Sequence, residues 1–193
     1  RHYVYIQPDY SLGFVKETPA GGLPMYKGKG KGDMTLNLSE VGFYGENGGI
    51  DYETSKTKFS RILMLPDSTV GPINTYDLKE STLYAEAHTQ NADLTWLPYQ
   101  DKYKITTKEW PMKTFAAAHD FRGTTTQSPR KLLGDGVLKW DLAVFERREM
   151  HLQPKKSVAQ QANLRIYTQD TSKMAFASNN INGEMNFQSR VGS

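Results

Sequence analysis

Gly48-Gly49-Ile50-Asp51-Tyr52, followed by Ile62-Leu63-Met64-Leu65-Pro66, returns 88 residues later as Gly136-Val137-Leu138-Lys139-Trp140 and Met150-His151-Leu152-Gln153-Pro154. In both copies an apolar side chain stands at every second position, the period of a strand with one covered face. Glycine opens the first run, where the chain must bend, and proline closes the second, because a residue without an N–H cannot continue a ladder. The same displacement matches Val70 with Val158, and a one-residue slip then matches Asn91–Trp96 with Asn180–Met185. Each copy reads as glycine, short strand, longer strand, proline-led turn, strand, strand. Units of this kind cover their apolar faces with one another.

The expectation is therefore an all-β chain of elongated antiparallel sheets, in an open jelly-roll or solenoid-like arrangement, built from two tandem pseudo-repeats. Residues 1–20 are read as strands continuing from a preceding unit, 21–107 as the first repeat and 108–193 as the second. Further short alternating runs broken by Gly, Pro, Asn and Asp agree with this. Examples are Tyr3 to Gln7, Ser11 to Lys16, Met34 to Leu38, Thr82 to His88, Asp93 to Leu97, Lys102 to Thr107, Met174 to Ser178 and Gly183 to Phe187. The best helical pattern, Val158 to Leu164, is too short to stand alone.

The 193 residues are 37% hydrophobic and 11% aromatic, with eleven tyrosines. Few apolar residues suit a thin sheet with much of each strand in water, and abundant aromatics suit half-buried strand surfaces. A net charge of +3 from dispersed basic residues offers no continuous stripe for nucleic acid. The densest run, Lys27-Gly28-Lys29-Gly30-Lys31, precedes a strand pattern, not the helix N-terminus a phosphate cradle requires, and reads as a solvated loop. With no cysteine, disulfides, thiolate catalysis and Cys-ligated metals are excluded. No run approaches the ~18 apolar residues of a membrane span. The first residues, Arg1-His2-Tyr3-Val4-Tyr5-Ile6, form a strand pattern without a leader, so the chain reads as a mature product or an internal piece.

Chemistry-bearing motifs are sparse, and no catalytic residue, cofactor or metal site is expected. His2, His88, His119 and His151 lie far apart in sequence, and His119-Asp120 would point to opposite faces of a strand. Asp51, Glu53, Asp141 and Glu146 provide carboxylates of the kind glycosidases pair, as any β protein does. Gly45-Glu46-Asn47-Gly48-Gly49-Ile50-Asp51 has oxygen ligands but not the spacing of a calcium loop, and reads as a turn. The candidate binding residues are aromatic: Trp96, Tyr99 and Trp110 lie near predicted strand ends and would stack on a glycan if exposed. Tyr52 and Trp140, at equivalent repeat positions, read as core.

Three stretches carry a resemblance. They are Gly42-Phe43-Tyr44-Gly45 through Ser55 with Phe59 and Leu65-Pro66-Asp67-Ser68, then Leu132-Leu133-Gly134-Asp135-Gly136 through Asp141, and Ala175-Phe176-Ala177-Ser178-Asn179-Asn180-Ile181-Asn182 through Phe187. Together they resemble modules of very large, poorly characterised outer-envelope proteins of Bacteroidetes-type bacteria. The arrangement is also similar to the open β-jelly-roll units of lipopolysaccharide-transport bridges. The resemblance implies export to a periplasm, outer membrane or cell surface. It also implies a non-catalytic scaffold module whose terminal strands pair with adjacent segments of the same or a neighbouring chain. A glycan-binding module and a lipid-carrying groove are the alternatives.

Overall fold

The computed structural model describes residues 2–6, 11–16, 25–37, 42–65, 67–154, 156–167 and 174–186, with side-chain surroundings over 44–65 and 67–154. Among them are fourteen strands and one 3-10 turn, Pro98–Gln100. The strands are β1 (His2–Ile6), β2 (Ser11–Lys16), β3 (Met25–Asn37), β4 (Gly42–Tyr52), β5 (Ser55–Met64), β6 (Thr69–Leu78) and β7 (Ala87–Leu97). They continue as β8 (Lys102–Thr106), β9 (Met112–Thr114), β10 (His119–Ser128), β11 (Lys131–Trp140), β12 (Ala143–Gln153), β13 (Lys156–Tyr167) and β14 (Met174–Asn186).

All of them form one antiparallel sheet in chain order, a meander running from β1 to β14. β8 and β9 share a single lane, each pairing with β7 on one side and β10 on the other. The expected unit boundary at 107/108 falls between these two, within that lane. Several expected segments take a different form. Lys27 to Lys31 lies inside β3, Gly45 to Asp51 inside β4 and Val158 to Leu164 inside β13. The segments Thr82 to His88 and Asp93 to Leu97 resolve into a loop over 79–86 and one long strand, β7.

The repeat displacement reappears in the pairing. Ile50 pairs with Thr57 and Tyr52 with Ser55; Leu138 pairs with Phe145 and Trp140 with Ala143, both partners displaced by 88. Leu63 opposite Val70 likewise corresponds to His151 opposite Val158. The turn residues Glu53 and Asp141, also 88 apart, both adopt left-handed backbone, at φ 51° and 53°.

A sheet this long must bury one face, and it does so by folding across its strands. The inward side chains of β5 are Ser55, Thr57 and Phe59, then Ile62 and Met64. In β7 they are Ala87 and Thr89, then Ala92, Leu94 and Trp96. Under strict alternation inward residues differ by an even number, yet Phe59 to Ile62 and Thr89 to Ala92 are odd steps, so each of these strands changes its inward parity near its middle. In β7 the change coincides with Asn91 at φ 51°, a left-handed backbone conformation that Asn tolerates. The changes in β5 and β7 lie near one transverse row, in which Gly48 pairs with Phe59, Gly123 with Gly136 and Gly136 with Arg147; β10 and β11 cross that row with their inward parity kept. At this crease Gly123 and Gly136 adopt φ 141° and 157°, and a Cβ on either would lie 2.2 or 2.1 Å from a carbonyl oxygen across the ladder. Only glycine fits both conditions.

The contact between Tyr52 and Tyr103 shows how far the sheet folds. Following the register from Tyr103 through Trp96, Thr69 and Met64 leads to Phe43, four lanes away and nine residues from Tyr52 along β4. On a flat sheet those positions are about 35 Å apart, given lane spacings near 4.8 Å and a rise near 3.3 Å per residue. Their rings stack with centroids 5.2 Å apart. The strand halves near the 53–54 and 79–86 turns thus lie against the other half of strands several lanes further along the chain. Tyr76 on Gln127, Tyr84 on Ser128 and Ala85 on Leu152 repeat the same forward offset.

Gly136→Ala is expected to lower unfolding free energy by about 3 kcal/mol, because the methyl meets the Arg122 carbonyl and the backbone cannot keep its φ. Urea unfolding should show this, while the exposed Lys139→Ala should change stability by no more than about 0.5 kcal/mol.

Candidate functional site

Between the layers lies a hydrogen-bonded tyrosine cluster. Tyr52, Tyr76 and Tyr103 are wholly buried, and Tyr103 stacks on both others. The Tyr52 hydroxyl donates to the Asp101 carbonyl at 2.6 Å or its carboxylate at 2.8 Å. Tyr103 donates to Thr57 Oγ1 at 2.8 Å, Tyr76 to Gln127 Oε1 at 3.3 Å and Tyr84 to the Ser128 carbonyl at 2.7 Å. Each bond joins one layer to the other or to a turn on it, so the phenols act as polar pins through an apolar interior.

Burial pushes all four phenols above their ordinary value. For Tyr52 the hydrogen bond and charge of Asp101 add to it, and for Tyr76 the neighbouring Tyr103 and Tyr84 do. Tyr84 is pushed up to about 12 by burial and by the Glu53 and Asp101 charges, with Gln127 opposing. Tyr103 is raised by burial despite its bond to Thr57. These groups stay protonated at ordinary pH and serve as donors. Their part is structural.

The aromatic candidates separate. Trp96 is 0% exposed on the inner face of β7, which corrects the expectation of a sugar-stacking role. It points inward because its register partners Thr69 and Tyr103 also face the core. Tyr99 is half-buried in the 3-10 turn. Trp110 is 50% exposed on the excursion Thr107 to Pro111 that separates β8 from β9. Arg122 braces this excursion by donating to the carbonyls of Lys108 and Glu109, and Thr107 bonds to Gly123. The three rings therefore form no common platform.

Of the histidines, His119 is buried, stacked on Trp140 and edge-on to Phe115. Asp120 beside it faces outward to Lys113, the opposition expected of strand neighbours. His88 lies on the outer face, 2.5 Å from Asp77. Among the described residues no three His, Asp or Glu side chains gather as metal ligands. His2 lies outside the described side chains.

The outer face carries what the interior lacks, clustered charge. One row in register reads Asp51, Lys56, Asp77, His88, Lys113, Asp120 and Lys139 from β4 to β11. Opposite charges side by side contribute about 0.2–1 kcal/mol per pair and penalise slipped registers. An open groove of about 680 Å³ crosses this row, floored by Lys56, Lys58, Thr75 and His88. Two further grooves, of about 530 and 390 Å³, adjoin at Lys131 on the opposite half of the sheet. The sequence reading missed their cations, because Lys102, Lys104, Arg130, Lys131 and Arg148 come from three separate stretches that only the meander brings together. Comparison with protein-family models, curated proteins and solved structures finds no match to this chain.

Two outcomes follow from the tyrosine cluster. Phenols raised in the folded state add stability that is fully present below the unfolded value near 10 and is lost as pH climbs from there through the folded values. An alkaline titration should therefore show the phenolate absorbance of these four appearing together with loss of near-ultraviolet circular dichroism. At neutral pH, Tyr52→Phe should cost about 1–2 kcal/mol in urea unfolding, since it leaves the Asp101 acceptors without their buried donor.

Proposed function

We propose that this chain is a non-catalytic scaffold module of a large exported bacterial envelope protein, extending by strand pairing with adjoining polypeptide. One observation carries the reading. The folded meander does not close on itself: among the described strands β1 pairs only with β2 and β14 only with β13, leaving an open ladder edge at each end. An open edge is a template for another strand, and proteins with no partner for it blunt or cover it. The forward offset of the layers adds to this, since it continues in the same sense for as long as strands are added.

The interior supports a structural role over a lipid-carrying one. Along the described strands the layers meet through Trp96, Tyr52, Tyr76, Tyr103 and Phe121, each nearly or wholly inaccessible. Those rings fill the space an acyl chain would take. Placement in a periplasm, outer membrane or cell surface rests on the envelope-protein resemblance of the Gly42–Ser68, Leu132–Asp141 and Ala175–Phe187 stretches.

Sedimentation at increasing concentration is expected to show end-to-end association. In an antiparallel strand, consecutive residues turn their N–H groups to opposite sides. Of Ala177→Pro and Ser178→Pro on β14, one should therefore abolish association with the melting temperature kept, and the other should destabilise the β13–β14 pair. A protein monomeric at every concentration, with both variants unchanged, would defeat the assembly reading.

A further inference from the structure

We infer that the two grooves adjoining at Lys131 form a binding surface for an acidic polysaccharide. Lys131, at the start of β11, lines both grooves. Lys102 and Lys104 stand on the same face of β8, about 6.7 Å apart along the strand, with Lys131 two lanes away at roughly 10 Å. Arg148 from β12 and Arg130 from the β10–β11 turn complete the set. These five cations face Asp135 and Glu149, a surplus of three, equal to the net charge of the entire chain, +3.

The cations are available. The ion pairs Asp77–His88, Asp93–Lys108 and Lys113–Asp120 lie elsewhere, and among the described residues no carboxylate pairs with the Lys102, Lys104, Lys131 or Arg148 head group. The surface is also built on strands, so the spacing of charges is set by the ladder and little ordering is needed on binding.

The kind of anion follows from what stands between the charges. Thr124, Thr126 and Ser128 place hydroxyls along β10 between the lysines of β8 and β11. Asp135 and Glu149 can accept hydrogen bonds from sugar hydroxyls, whereas a nucleic-acid backbone, with a phosphate charge at every step, would be repelled by them. Single-stranded nucleic acid also requires a run of aromatic platforms, and no Trp, Tyr or Phe lines either groove, His151 being the one ring there. A linear chain with separated carboxylate or sulfate groups and abundant hydroxyls fits both sets of partners. This inference rests on the outer face alone and does not depend on strand-edge assembly.

The test is calorimetric titration with polygalacturonate and dextran sulfate, with neutral dextran, duplex DNA and phosphatidylglycerol vesicles as comparisons. Two double variants remove the same charge from different places: Lys104→Ser with Lys131→Ser here, and Lys56→Ser with Lys58→Ser in the remote groove. Melting temperatures confirm that both fold. The expected result is binding of the acidic polysaccharides and not of dextran, weakened roughly tenfold by the first pair and less than about twofold by the second. Equal losses for the two pairs, tighter binding of DNA or vesicles, or no binding of either acidic polysaccharide would overturn the inference.

Discussion

The crease holds the architecture together. A meander of this many strands has one apolar face, and in the described chain it is covered by the sheet itself with the 79–86 loop. Folding creases the sheet along one transverse row, and the described strands that cross it accommodate this by different local means. Gly123 and Gly136 use positive φ, Asn91 a left-handed residue within an unshifted ladder, and the β8–β9 lane an outright interruption. Where backbones approach closely, as between Gly136 and the Arg122 carbonyl, there is no room for a side chain. Were the row to straighten, Tyr52 and Tyr103 would part by tens of ångströms.

The choice of tyrosine for the interior follows from the same geometry. Where the turns of one layer meet strand ends of the other, the backbone carbonyls of Asp101 and Ser128 accept from phenols of the facing layer. A buried carbonyl left unsatisfied is costly, and a phenol reaches it while its ring fills apolar space. The loop over 79–86 is drawn in by the same means, through Tyr84 and the Ala85 amide. The interior is therefore polar in its bonding and dry in its packing. The accessible chemistry of the molecule is left to the outer face.

Much of this was legible in the sequence, and the exceptions have physical causes. Alternation around Ile50, Ile62, Leu138 and Met150 marked true strands, and the 88-residue echo corresponds to equivalent hairpin registers. β6 and β10 escaped notice because Gly71, Pro72 and the Thr124–Thr126 run lack an apolar alternation. β7 was split because its parity change at Asn91 breaks the pattern that defines a strand. Trp96 was placed with the surface candidates because Pro98 signals a turn, yet a residue just before a turn still faces whichever side its register dictates. The cation cluster was invisible because proximity across four lanes has no sequence signature.

The forward offset between layers has a bearing on how the molecule comes apart. In an ordinary solenoid each repeat touches only its neighbours, so ends fray one unit at a time. Here the near half of β4 rests on β8, and the β6–β7 loop reaches β12, so loosening one strand removes the floor beneath others several lanes distant. Loosening is thereby coupled between strands of β4 to β12 that are not neighbours in the ladder.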